Sequence, residues 1–271
     1  MKYLYETHLH TAESSACSVS SGKELARVYK DRGYAGIIVT DHFWNGNSGV
    51  SRRLPWREWV HRFCRGYEAA KEEGEKLGLD VFLGWEETFD GSDDYLVYGL
   101  DKNWLLAHPE VVRWSRLEQF LAVRAAGGAV VQAHPFRQHD HIREVVLSTA
   151  CVDGVEVANG GNNNDSYDAL ACLYAQKINK TALAGTDTHS AARVARGEPL
   201  GVYLKEKPAS ILDFARLIRD NGVAGVKITQ GQCDFYGNER VSLPVSIRDG
   251  ADKIVSKNWK DFLFGQPVKL K

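Results

Sequence analysis

At 271 residues, with 34 basic and 35 acidic side chains and a formal charge of −1, the chain has the size of one α/β barrel or of two smaller domains, and, a local basic patch aside, no global attraction for nucleic acid or anionic membrane. Hydrophobic residues make up 44% and charged residues 25%, which excludes a disordered or fibrous protein. No apolar run approaches the ~20 residues that span a bilayer, and the chain opens on a strand-like run without a signal-peptide pattern. The five cysteines form no CxxC pair and read as reduced thiols, so the expectation is a soluble, cytoplasmic protein.

Tyr3 to Thr7 is the first strand-like run, and His8-Leu9-His10 closes it. Ser21-Gly22-Lys23-Glu24 is a capping box that predicts a helix through Arg32, with Gly33 at the left-handed position after it. A second strand, 36–40, runs into Asp41-His42. Pro55 precedes an amphipathic segment from Trp56 to Leu77 that Gly78 ends. Strands are predicted over 80–85, where Glu86 follows, and over 94–100. A second capping box at Ser115 to Glu118 starts a helix that stops at Gly127-Gly128, and strand 129–133 leads to His134. Gly154 to Val157 reads as a strand, Ser166 to Ile178 as a helix, and 181–185 as a strand that ends before Asp187 and His189. A last helix runs from Ser210 to Gly222, and 226–229 and 241–243 look like additional strands.

Seven or so βα units with strands rich in Val, Ile, Leu and Gly argue for buried parallel strands. The predicted fold is α/β, a closed or nearly closed TIM-like barrel over residues 1–224, with a less regular C-terminal extension over 225–271 packed on the same domain. In such barrels the strand C-termini carry the functional groups. Five strand ends here carry imidazoles or carboxylates. Two histidines at i and i+2 of a strand project to one side, so His8 and His10 converge. With His42, His134 and His189 they supply five imidazoles, and Glu86 and Asp187 supply two carboxylates. That set suffices for two to three divalent ions, which bind phosphate-ester oxygens and generate hydroxide from water near neutral pH.

The runs His8-Leu9-His10-Thr11, Thr40-Asp41-His42, Gly84-Trp85-Glu86, Ala133-His134-Pro135 and Gly185-Thr186-Asp187-Thr188-His189 resemble, in order, the motifs of the PHP (polymerase and histidinol phosphatase) family. The resemblance covers about residues 5–195. It implies that the barrel is a distorted (β/α)7 TIM-like one of seven strands, with a trinuclear site of Zn, Mn or Fe, and phosphoester hydrolysis. By position, His8, His10, Glu86 and Asp187 would hold one ion, Glu86 and His134 the second, and His42 with His189 the third. Many members place a further His or Asp about six residues after the first histidine pair, where this chain has Ala16 and Cys17. Others have a His after the fourth strand, where it has Asp101. Cys17 reads as a buried thiol or a ligand, and Asp101 as a ligand or a helix cap.

Asp187 and His189 are the candidate catalytic residues, and Arg137, Arg193 and Arg196 the candidate phosphate contacts, each with a surface salt bridge as the alternative. Glu87 should face away from Glu86. Glu156 and Asn159 either support the site or cap a turn, and His139 and His141 read as solvated loop residues. Phe43, Trp44, Trp85, Phe89 and Phe136 either stack on a substrate ring or belong to the core. The expected function is metal-dependent hydrolysis of a small phosphorylated substrate, such as a phosphomonoester, a nucleotide or a short oligonucleotide. The near-zero net charge disfavours long nucleic acid. An amidohydrolase-type hydrolase, a PHP-type exonuclease and a non-catalytic scaffold are the alternatives, and no motif fixes an oligomeric state.

Overall fold

A computed structural model describes residues 2–91 and 93–265. In chain order the elements are β1 (Tyr3–Leu9), α1 (Gly22–Asp31), β2 (Gly36–Val39), α2 (Trp56–Phe63), α3 (Arg65–Leu77), β3 (Asp80–Leu83), β4 (Trp85–Phe89), β5 (Asp93–Tyr98), α4 (Lys102–Ala107), a 3-10 turn (Pro109–Arg113), α5 (Arg116–Ala125) and β6 (Ala129–Gln132). There follow β7 (Val145–Ser148), β8 (Gly154–Asn159), α6 (Asp165–Ile178), β9 (Thr181–Gly185), α7 (Ala191–Arg196), β10 (Gly201–Leu204), α8 (Ile211–Arg219), β11 (Gly225–Lys227), β12 (Val245–Arg248), β13 (Ile254–Ser256) and α9 (Trp259–Phe264). Both capping boxes form: Ser21 and Ser115 accept from the backbone of Glu24 and Glu118, whose carboxylates reach back. The amphipathic segment 56–77 is two helices that meet at Cys64, whose ψ of 0° marks the junction.

The class is α/β, with the strands in three sheets. One has the order β11-β10-β1-β2-β3, the second β4-β5-β6-β8-β9 and the third β13-β12-β7. β1, β2 and β3 are parallel, as are β6, β8 and β9. β5 departs from the expected parallel rhythm, lying antiparallel to both β4 and β6. The cause is local: Asp90 and Gly91, with φ of 53° and 66°, turn the chain tightly, and a tight turn joins strands only antiparallel. β3 and β4 belong to different sheets because the chain breaks at Gly84, where a Cβ would stand 2.9 Å from the Val97 carbonyl oxygen.

The expected closed barrel is not what the ladders draw. Among the described residues no continuous ladder joins the two five-stranded sheets. The seam is spanned by two isolated parallel bridges, Leu9 with Thr188 and His42 with Glu86. Backbone hydrogen bonds from His10 N to Thr188 O and from Glu86 N to Asp41 O reinforce them.

Of the C-terminal strands expected, 226–229 overlaps β11. The run 241–243 stays irregular, and the strand forms at Val245–Arg248, parallel to β7. Residues 266–271 of the predicted extension lie outside the described residues. The reading of all five cysteines as reduced thiols is corrected: Cys172 on α6 and Cys233 after β11 are joined as a disulfide, their Cα atoms 6.1 Å apart. α6 and the extension bring the two residues within bridging distance. Cys17, Cys64 and Cys151 are free. No helix among the described residues is long and apolar enough to cross a membrane.

The aromatic residues beside the motifs belong to the core. Phe43, Trp85 and Phe136 are fully buried. Phe43 sits 5.1 Å from Trp59, 5.2 Å from Phe63 and 5.3 Å from Trp85, ring centre to ring centre. Aromatic pairs at such separations add about 0.5–1.5 kcal/mol beyond area burial. This packing anchors the chain immediately after His42.

Candidate metal centre

All seven residues read as ligands from the sequence come together at the seam. His8 Nε2 lies 3.1 Å from His10 Nε2. Glu86 Oε1 stands 3.2 Å from both His8 Nε2 and His134 Nε2, and its Oε2 stands 2.7 Å from His42 Nδ1. Asp187 Oδ1 is 3.0 Å from His10 Nε2 and 3.5 Å from His8 Nε2. Three subsets have donor atoms mutually within 4.8 Å: His8, His10 and Asp187; His8, Glu86 and His134; and His10, His42 and His189.

The donors face one another in a way hydrogen bonding does not explain. His42 Nδ1 and Glu86 Oε2, although 2.7 Å apart, lack hydrogen-bond geometry, and both are buried without another partner. His8 donates from Nδ1 to Glu156 Oε1 at 2.9 Å, and His189 from Nδ1 to the Asp187 carbonyl at 3.0 Å. In its neutral form each would then present an unprotonated Nε2, the tautomer a metal ligand requires. Burial opposes charge on His8, but without ions the Glu156, Asp187 and Glu86 carboxylates raise it well above the usual imidazole range. The residues present therefore fit divalent cations.

Charge supports the same reading. Burial alone would raise the Glu86 carboxyl, but His8 and His42 beside it hold it well below the usual range. Asp187 is likewise held down, by His8 and Arg137 against burial. His10 is pushed down to about 3 by burial and by His42, so it stays a neutral imidazole. The backbone is strained at two ligands: His134 has φ 27° and Asp187 φ 48°, left-handed values that cost roughly 1–3 kcal/mol for a side-chain-bearing residue. Gly185 allows the approach of β9 to β1, since a Cβ there would lie 2.6 Å from His8 Cβ and 2.9 Å from Glu156 Oε1.

The supporting groups separate clearly. Glu156 holds His8 and accepts from the His134 backbone at 3.0 Å, so of its two readings the structure shows support of the cluster. Asn159 donates to Glu156 at 2.8 Å and accepts from Arg137 at 2.6 Å. Glu87 turns away and accepts from the Asn45 and Thr88 backbones; burial pushes it up to about 8. Asp101 caps α4 by accepting from Trp104 N. Cys17 is exposed rather than buried. Burial would raise its thiol, but hydrogen bonds with His189 and His42 outweigh that and bring it to about 6.

Of the three arginines, the cluster includes Arg137 alone. Its Nη2 donates to Asp187 Oδ2 at 2.8 Å and its Nε to Asn162 Oδ1 at 2.9 Å. Arg193 instead donates to the Gly160 carbonyl and Arg196 to that of Ala192; both side chains are turned outward by α7. Asp94, which the sequence places on a strand without a role, has Oδ2 3.7 Å from His134 Nε2. With His42, Thr88, Asn45 and His141 it lines a cavity of about 190 Å³ at the cluster. His141 thus stands at the mouth, exposed, beside His139.

No known family profile and no curated protein matches this sequence. Solved structures do resemble the fold. A two-domain protein from Bacteroides vulgatus containing a predicted PHP-like metal-dependent phosphoesterase superposes with a TM-score of 0.57 at 19% identity, over 84% of this chain and 65% of that one. PsfC from Pseudomonas syringae PB-5123 gives 0.52 at 13% identity over 86% and 93%. Endonuclease Q, in complex with a 27-mer duplex carrying an abasic lesion, gives 0.52 at 14% identity over 84% and 58%. The chain thus spans under two thirds of the first and third of these proteins. What it shares with them is the fold.

Proposed function

We propose that the chain is a metal-dependent phosphoesterase that hydrolyses a small phosphorylated substrate. Two to three divalent ions (Zn, Mn or Fe) are held by His8, His10, His42, Glu86, His134, Asp187 and His189. The observation that carries this reading is the unpartnered face-to-face approach of His42 Nδ1 and Glu86 Oε2 within a buried set of converging donors. Such a set is costly unless cations occupy it. We read the two large sheets as the halves of a distorted seven-stave barrel, and residues 1–224 as the unit that 225–271 extends.

Bound cations supply Lewis acidity, which polarises a phosphoryl oxygen and generates hydroxide from water at neutral pH. The protein's own groups do the rest. Glu86 presents one oxygen to His8 and His134 and the other to His42, so with these histidines it would hold the ions. Asp187 offers Oδ1 to the cluster while Arg137 holds Oδ2. Arg137 Nη1 donates to no group among the described residues, and a phosphate oxygen is its natural acceptor. Asp187 and His189 face the incoming phosphate as the catalytic pair, His189 and His42 forming the partly open rim. A single guanidinium at the mouth suits one phosphate group.

Elemental analysis of chelator-free protein, with hydrolysis of p-nitrophenyl phosphate and of p-nitroacetanilide, tests the reading. At least two ions per chain and phosphate-ester hydrolysis abolished by chelator are expected. Less than about one ion, or amide hydrolysis alone, would overturn it.

A further inference from the structure

The hydrogen bonds that fix Arg137 do not end at its own neighbours. Asn162 and Asn159, which accept from it, are themselves held by Asp168 on α6. Asp168 Oδ1 accepts from Asn162 Nδ2 at 2.7 Å and from Asn159 N at 3.2 Å. Its other oxygen, Oδ2, accepts from Gln232 Nε2 at 2.7 Å. Gln232 belongs to the C-terminal extension, and its neighbour Cys233 is the residue bonded to Cys172, four positions along α6 from Asp168. The path from the disulfide to a candidate metal ligand is therefore unbroken: Gln232, Asp168, Asn162 with Asn159, Arg137, Asp187.

The extension is anchored on either side of this point, by β11 on β10 and by β12 on β7, but the stretch that carries Gln232 buries little of itself. Across residues 229–238 Gln232 is the single buried one, and most of its neighbours are exposed. Beside it lies a cavity of about 290 Å³ lined by Asn162, Asp168, Thr229, Gln232 and Arg193, so the relay runs along a void rather than through packed core. A side chain with a cavity on one side stays in place only if its backbone is fixed. Besides the local turn bond from Gln232 N to Thr229 O, the Cys172–Cys233 bond ties the adjacent residue covalently to α6.

We propose that Gln232 and Asp168 are positioning residues that hold Arg137 onto Asp187. The Cys172–Cys233 disulfide clamps them, so the thiol–disulfide state of the extension sets phosphate affinity at the cluster. Reduction by a dithiol moves two electrons and two protons to the two sulfurs. It leaves two thiols and the oxidised dithiol, and frees the segment that carries Gln232. Asp168 then loses one of its three donors, Asn162 and Asn159 loosen, and Arg137 no longer arrives preset for phosphate. The chemistry of the ions themselves is untouched, so phosphate binding weakens while turnover is kept.

The kinetic consequence rests on the phosphoesterase reading, and the structural one does not. The full chain is compared in four forms: oxidised, reduced with dithiothreitol, Gln232→Leu, and Cys172→Ser/Cys233→Ser. The Arg137 Nε–H resonance reports the relay without substrate or metal. Its solvent exchange should be slow in the oxidised protein and about tenfold faster in the other three forms. KM for phenyl phosphate should rise about three- to tenfold with kcat within about twofold, and dithiothreitol should change nothing in the double serine variant. Equal Arg137 exchange in all four forms overturns the relay, as does a response to dithiothreitol in the double variant. Altered exchange in a protein that hydrolyses no phosphate ester would instead sink the phosphoesterase reading and leave the relay standing.

Discussion

Glu86 and Glu87 are neighbours on one strand with opposite surroundings. Glu86 lies 3.2 Å from His8 and from His134, whereas the Glu87 carboxylate touches only the Asn45 and Thr88 backbones. Strand alternation sends them to opposite faces. Glu86→Gln should lose at least one ion and about 100-fold or more in kcat/KM, while Glu87→Gln keeps its metal. Equal metal loss from both, measured by elemental analysis, would remove Glu86 from its bridging place.

Gly161 packs against Asp187 and Arg137, the groups proposed to meet phosphate. A Cβ at this position would stand 2.7 Å from Asp187 Oδ2 and 2.9 Å from Arg137 Nη2, inside van der Waals contact. Gly161→Ala should separate Arg137 from Asp187 and raise KM for a phosphomonoester about tenfold, with far less effect on melting temperature. Wild-type kinetics would mean that Arg137 does not contact substrate.

Asp168 gives a pH dependence whose sign can be worked out. Burial, opposed by hydrogen bonds from Gln232 and Asn162, raises its carboxyl to about 6. A raised carboxyl contributes stability that is fully present below its unfolded pKa, near 3.9, and lost as pH rises through 6. The two units between these values correspond to roughly 3 kcal/mol. Asp168→Asn cannot ionise, so relative to wild type it should gain on the order of 2–3 kcal/mol between pH 4 and pH 7. Urea unfolding of chelator-treated protein at both values measures this; a variant-to-wild-type difference independent of pH contradicts it.

Substrate size should show in the salt dependence. A protein that neutralises six to ten phosphates loses about 10³–10⁵ in affinity between roughly 50 and 200 mM salt. Here Arg137 alone stands in the cluster, so KM for a mononucleotide should change less than about threefold over that range. Steeply salt-sensitive cleavage of duplex DNA, faster than that of any mononucleotide, would replace this reading with a nuclease.

What the sequence made visible was what local rules encode. Strands ending in His8, His42, Glu86 and His134 stood out because an apolar run stops at a metal-ligand residue type, and two helices because Ser21 and Ser115 start capping boxes. β7 and β10, four residues each, are no shorter than β2, β3 and β6, but no metal-ligand residue type directly follows them to mark their ends. The antiparallel β5 was hidden because the turn at Asp90-Gly91 looks like any polar loop. Arg193 and Arg196 were assigned to the site by closeness in sequence to Asp187, but α7 sets their direction. Glu156, Asp94 and the pairing of Cys172 with Cys233, 61 positions apart, depend on which strands and helices become neighbours, and that information is tertiary.

The two bridges at the seam have a mechanical consequence. His8 and His10 stand on or just after β1 of one large sheet, and Glu86 and His134 on or beside the other. Among the described residues the bridges between the sheets are Leu9 with Thr188 and His42 with Glu86, with a backbone bond from Asp187 N to His8 O beside the first. On the proposed reading the ions act as rivets between two half-shells. Filling the centre should knit them into one cooperative unit, so amide exchange at His10, Phe43, Glu86 and Asp187 would slow most. Stripped of its ions, the molecule would open along that line before either half melts.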